Sequence, residues 1–138
     1  MRSLVADYLS RIERFVRCEV TELRESSASD SRAGIEDEGK RIIGALHSDA
    51  VTILLDVEGR EFGSRHLADE IEKWQNSGTK EIEFVIGGPN GVSAAVRKRA
   101  KYTWSLSQFT LTHEMARVVL IEQVYRAYTI MHGLPYQK

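Results

Sequence analysis

Gly87, Gly88 and Gly91 stand in the stretch FVIGGPNGVS, between an apolar run and Ser93, which opens a helix-like segment. Glycine accepts positive φ and lets another group approach the backbone closely. A glycine turn that leaves a strand and enters a helix suits a nucleotide-like ligand held by backbone amides. The spacing is not GxGxxG, and no Gly-Lys-Ser/Thr follows to make a phosphate loop. No lysine sits in the turn, so an adenine ring and ribose fit it better than a triphosphate. The same residues also serve as a plain tight connection between strand and helix.

Two further segments have the composition to complete a pocket. ILLDVEG brings Leu55 and Asp56 to the end of an apolar run, and WSLSQFTLTH carries hydroxyls and apolar residues in alternation. Asp56 either contacts a ligand or caps a turn. Trp104 reads as core in preference to a base-stacking platform. Other catalytic chemistry finds little support. Ser, His and Asp occur without a GxSxG elbow, and the four histidines, His47, His66, His113 and His132, show no metal-ligand spacing. No metal is expected. His113 stands out because it follows the third segment. VRKRAKY gathers Arg97, Lys98, Arg99 and Lys101, either as a solvated helix face or as a patch contacting the phosphates of a folded RNA.

Positioning these segments requires a layered frame. Leu4, Tyr8, Ile12 and Phe15 recur at helical spacing, and VRCEV then alternates as a strand would. Glu25 to Gly34 is polar and aperiodic, an exposed loop. Ile35, Ile42, Ile43 and Leu46 mark a helix, and AVTILLDV a buried parallel strand. Ser64 is placed to cap a helix bearing Leu67, Ile71 and Trp74. EIEFVIGG is the next strand, Ser93 to about Thr103 a helix, LSQFTL a short strand, and Thr112 the cap of a helix running to about Met131. The predicted order α-β-α-β-α-β-α-β-α implies a mostly parallel sheet with helices on both faces. The opening on a helix suggests that an upstream strand is absent.

Composition sets the outer bounds. A chain of 138 residues, 42% hydrophobic and 28% charged, reads as one soluble globular domain over 1–138. A net charge of −1 leaves any polyanion binding to local patches. No run reaches the roughly 18 apolar residues of a membrane span, and the charged start MRSLVADYLSRIERF is unlike a signal peptide. The single cysteine, Cys18, excludes an internal disulfide, and a cytoplasmic protein is expected. In the last helix, Ala116, Val119, Leu120, Val124, Ala127 and Tyr128 form one apolar stripe, which Met115, Val118, Ile121 and Tyr125 widen. The excess points to a second copy of the chain or to full burial within one.

The ordered set LLDVEGREFGS, IGGPNG and WSLSQFTLTHEMARVVLIEQVYRAYTIMHGLPY resembles the RlmH family, from about Tyr8 to the C-terminus. These are SPOUT-class enzymes that methylate N3 of a pseudouridine in large-subunit ribosomal RNA. The resemblance implies an α/β knot with a C-terminal trefoil, a homodimer, and S-adenosylmethionine as cofactor. It carries cofactor contacts to Leu55, Asp56, Gly87, Gly88, Ser107, Gln108, Phe109, Thr110, Leu111 and Thr112. It places Arg126 and Tyr136 at the RNA target or its pocket. Arg97, Lys98, Arg99 and Lys101 are candidate RNA contacts on their local charge alone.

The implied chemistry is direct methyl transfer, in which the protein chiefly positions the reactants. An arginine would stabilise charge developing on the base as N3 loses its proton, and solvent would accept that proton. Three departures from the family pattern stand in this sequence: it opens on a helix where the family has a first strand, Thr112 replaces the usual proline before His113, and Gln137 replaces the usual histidine of a PYH ending. Gln137 hydrogen-bonds but is no base at neutral pH. A non-catalytic ribosome- or cofactor-binding relative is the alternative these departures raise.

Overall fold

The computed structural model describes residues 1–28 and 30–136. Its elements run α1 (Arg2–Ile12), α2 (Ser31–Ala45), β1 (Val51–Glu61), α3 (Ser64–Asn76), β2 (Ile82–Ile86), α4 (Ala94–Arg99), β3 (Tyr102–Ser105) and α5 (His113–Met131). The strands form one parallel sheet in the order β2-β1-β3. No helix among the described residues is long and apolar enough to cross a membrane.

Alternation along β1 builds a core on each face of the sheet. Ile53 and Leu55 join Leu67, Ile71, Trp74, Trp104, Leu120 and Tyr128 beneath α3 and α5. Leu54 points the other way, to Val85 and Val96, with Ile42, Ile43 and Leu46 of α2 around them. The expected sheet with helices on both faces is therefore present. Trp104 is only 3% exposed, which settles it as core.

Several expected features differ. The loop expected to run to Gly34 gives way to α2 at Ser31, where Asp30 caps the helix by accepting from Arg32 N. VRCEV is not a strand: no described strand pairs with it, and its alternation instead lets Val16 and Cys18 pack with Ile12, Ile121 and Tyr125. LSQFTL is not a strand either. The third strand lies earlier, at Tyr102–Ser105, where pairing with Ile53–Leu55 buries Trp104 and cuts the preceding helix short at Arg99. Beyond Ser105 the backbone turns, because Ser105 Oγ donates to Ser107 O at 2.8 Å and Phe109 N donates to Ser107 Oγ at 2.9 Å. Such local serine bonds compete with a strand ladder. Ser64 is the first helical residue and not the cap; Gly63 takes that place, and Ser64 Oγ donates to Gln123 Oε1 at 2.5 Å. Ser93 and Thr112 do cap, accepting from Val96 N and Met115 N.

The wide apolar surface of α5 finds much of its cover inside the chain. Ile121 and Tyr125 are buried against Ile12 of α1. A charge at either position would disturb this core directly, so neither isolates a contact between copies.

At the far end of the sheet, the imidazole of His47 meets the carboxylates of Glu81 and Glu83. Its backbone N–H donates to Glu83 Oε1 at 3.0 Å. Attraction by Glu81 raises the His47 pKa, reinforced by Glu83. The cluster ties the α2–β1 turn to the start of β2.

β1 contains an irregularity that shapes the opposite end. Leu55 and Arg60 both register against Trp104, so Asp56 to Gly59 bulge away from β3. A Cβ on Gly59 would lie 2.7 Å from the Trp104 carbonyl carbon and 2.8 Å from Thr103 backbone atoms. Backbone cannot yield as a flexible side chain does. Gly59→Ala should therefore destabilise the chain by about 1–3 kcal/mol, the range for overpacking. Urea unfolding measures this, and a wild-type midpoint would show that β1 is not pinned against β3 there.

Candidate functional site

Leu55 registers with Ile86 on one side and Trp104 on the other. The three strands therefore release their loops at one end of the sheet. Ligands of open α/β sheets bind at this end.

The glycine turn closes on itself. Gly91 N donates to Gly88 O at 3.1 Å, and Gly91 has φ +96°, a conformation that suits only glycine well. A Cβ on Gly87 would lie 2.4 Å from Val92 Cγ1, and one on Gly88 would lie 3.0 Å from Glu38 Oε1. The close approach at Gly87 is thus made by the chain itself, through a valine rooted in the α2–α4 core. Glu38 also accepts from Ser26 N at 2.9 Å, bringing the loop before α2 beside the turn.

The loop after β3 meets the same region. The imidazole Nδ1 of His113 lies 3.3 Å from Gly87 O, joining the start of α5 to the glycine turn. Gln108 Nε2 donates to Glu61 Oε1 at 2.6 Å, holding the loop to the end of β1. Phe109 projects from this loop 82% exposed, the most open large apolar side chain described. Thr110 and Thr112 are exposed and Leu111 is half-buried. Leu55, Asp56, Gly87, Gly88 and the 107–112 loop are accordingly gathered at one end of the sheet.

The basic run divides into parts with different surroundings. Arg97 Nη1 lies 3.3 Å from Asp56 Oδ2, so a candidate RNA contact and a candidate cofactor contact are partners. Arg99 Nη2 donates to His47 O at 2.8 Å. Lys101 Nζ lies 5.7 Å from the Tyr102 ring centre, and Lys98 is exposed.

Arg126 and Tyr136 also come together, at the other end of α5. Glu122 Oε2 accepts from Arg126 Nη2 at 2.6 Å, from Arg126 Nε at 3.1 Å and from Tyr136 Oη at 2.8 Å. The guanidinium carbon stands 4.8 Å from the centre of the Tyr136 ring. Tyr136 Oη lies 3.2 Å from Tyr8 Oη, and its ring meets Tyr125 edge-on at 4.8 Å. Burial raises the Tyr136 pKa, and the bonds with Tyr8 and Glu122 push it further. The phenol therefore stays protonated, and a donor, at neutral pH. Gln137 lies outside the described residues.

Glu122 and Tyr8 are absent from the sequence-based set. Glu122 was accessible as the i,i+4 partner of Arg126 on a helix. Tyr8, separated from Tyr136 by 128 positions, left no such local signal.

Comparison with known proteins agrees with the RlmH resemblance. The family model described as "Predicted SPOUT methyltransferase" matches residues 1–137. Ribosomal RNA large subunit methyltransferase H of Gloeobacter violaceus is 43% identical over 131 residues, covering 95% of this chain and 85% of its own. The protein of that name from Acinetobacter baylyi is 44% identical over 138 residues, covering 96% and 86%. That from Desulfotalea psychrophila is 36% identical over 134 residues, covering 97% and 88%. With its motifs, its flanked parallel sheet and these relatives in agreement, the chain belongs to the SPOUT methyltransferase family.

Proposed function

We propose that this chain is an S-adenosylmethionine-dependent methyltransferase that modifies N3 of a pseudouridine in large-subunit ribosomal RNA. The observation that carries the reading is the convergence of Asp56, the glycine turn and the 107–112 loop at one sheet end, held by the His113–Gly87 contact. The relatives' names support RNA of the large ribosomal subunit as substrate.

The residues present suit this cofactor. They offer backbone groups, hydroxyls, one carboxylate and apolar surface, with no lysine in the turn to favour a triphosphate. Leu55 and Asp56 would flank the cofactor, Gly87 and Gly88 would bring backbone to it, and Ser107 to Thr112 would wrap its adenine and methionine portions. When bound, S-adenosylmethionine supplies an electrophilic methyl group on a sulfonium. Arg126 would stabilise negative charge on the target base as N3 loses its proton to solvent. Tyr136 would present an aromatic wall and a hydroxyl beside it.

Calorimetry should show S-adenosylmethionine binding and no comparable ATP binding, and the protein should methylate ribosomes that lack the modification. ATP preference would favour an unrelated nucleotide-binding role. Cofactor binding without methylation would favour the non-catalytic relative.

The working unit is a homodimer in this reading. His113 and Arg126 are 13 positions apart on α5, roughly 20 Å at 1.5 Å per residue. One chain thus separates its cofactor loops from its base-contacting pair, and a second copy bridges the gap. In this reading the protein works in the cytoplasm, as one domain over 1–138. Sedimentation at micromolar concentration should give about twice the chain mass; a monomer with full activity would remove this part.

Arg97, Lys98, Arg99 and Lys101 contribute positive charge along the RNA path, although Arg97 and Arg99 also have partners within the chain. Lys98 is therefore the cleanest probe. Lys98→Ala should reduce the salt slope of ribosome binding by about 1 and leave S-adenosylmethionine affinity unchanged. A wild-type slope would make this position a solvated helix face.

A further inference from the structure

The geometry points to Glu122 as a positioning residue for methyl transfer, one that holds Arg126 and Tyr136 as a single unit. The inference rests on the methyltransferase reading above and extends it to a residue outside the site already assigned.

A single oxygen, Glu122 Oε2, receives the Nε and Nη2 edge of Arg126 and the hydroxyl of Tyr136. That shared acceptor brings the guanidinium and the phenol ring within 4.8 Å of each other. Charge-assisted hydrogen bonds of this kind are short and directional. The other oxygen accepts from Gln123 Nε2 at 2.8 Å, and Gln123 Oε1 in turn accepts from Ser64 Oγ. The carboxylate is thereby steadied from α3 while it orients two groups of α5 and the C-terminal segment. Tyr8 of α1 supports the far side of the Tyr136 hydroxyl.

The arrangement distinguishes positioning from proton transfer. Both oxygens of Glu122 already accept bonds from the chain's own donors. The side chain is only 18% exposed, so it reaches an RNA base through Arg126 and Tyr136 and not directly. Removing the negative charge weakens the hold of Glu122 on both the guanidinium and the phenol. Both groups then gain orientational freedom, a loss felt mainly in the rate of the transfer step.

Glu122→Gln is nearly isosteric and removes the charge. Its single-turnover methylation should fall by about 10²-fold, the scale expected when reacting groups are misplaced by roughly 1 Å. S-adenosylmethionine affinity, ribosome affinity and thermal midpoint should stay near wild type. Added to an Arg126→Ala/Tyr136→Phe background, the change should cost nothing further, because the groups it orients are gone. Glu122→Asp keeps the charge at shorter reach and should recover part of the rate. Carboxypeptidase should trim the C-terminus of Glu122→Gln faster than wild type, a measure of Tyr136 docking that involves no substrate.

A wild-type rate in Glu122→Gln, a full additional loss in the double-variant background, or equal trimming would each overturn the inference. So would a rate loss matched by an equal loss of binding or stability, since that describes a purely structural residue. A wild-type protein that methylates no ribosomal RNA, yet shows the trimming difference, puts the parent reading at fault and leaves the docking role of Glu122 standing.

Discussion

Leu55 is the residue on which the rest of the structure depends. It closes two parallel registers at once, against Ile86 and against Trp104. Parallel strands that share a central partner must release their following segments on the same side. That single constraint carries the bulge of β1, the glycine turn and the loop after β3 to one end of the sheet. The contacts between loops then act at short range: His113 to Gly87 O, Gln108 to Glu61, and Arg97 to Asp56. Each exposed pair is worth little alone. Their value lies in fixing loops that the sheet has already brought together.

α5 sets the second dimension of the molecule. Its N-terminus touches the glycine turn and its last turns carry the Glu122–Arg126–Tyr136 assembly. Along the same helix, Leu120 and Tyr128 enter the core beneath β1, while Ile121 and Tyr125 seat α1. The helix is therefore fixed on two sides along its middle. A helix so held keeps a constant distance between its ends, which is why one chain presents two separate polar centres.

The frame was legible where a pattern is local and long. The buried run of β1, the helical spacing of Leu67, Ile71 and Trp74, and the cap at Thr112 appear as expected. Legibility failed where tertiary pairing outbid local pattern. The helix expected to about Thr103 and the strand expected from Leu106 leave Tyr102 to Ser105 outside any strand, yet burial of Trp104 against β1 fixes the strand there. VRCEV alternates convincingly, but alternation also satisfies a segment lying across a helix, and Val16 and Cys18 use it that way. The site divides along the same line. The glycine turn announced itself by composition, whereas residues 107 to 112 entered through the family resemblance and read locally as a strand. The Asp56–Arg97 pair joins positions 41 apart, and Tyr8 meets Tyr136 across nearly the whole chain.

The glycines show why a residue type can be read correctly and its reason missed. A glycine-rich turn raises the question of what comes close. Gly87 answers with Val92, Gly91 with a positive φ, and Gly59, outside the turn, with the backbone of β3. Each is a demand made by the fold before any ligand arrives. This leaves the turn in the candidate site and gives it contacts of its own. Val92 reaches from the α2–α4 core to the backbone at Gly87, and His113 holds the carbonyl of the same residue. A backbone fixed in this way loses little freedom on binding, so a ligand's contacts are not offset by ordering the loop. Among the candidate contacts at this end of the sheet Asp56 alone carries a charge, so the surroundings of the turn suit the holding of a ligand by backbone and uncharged side chains more than reaction with it.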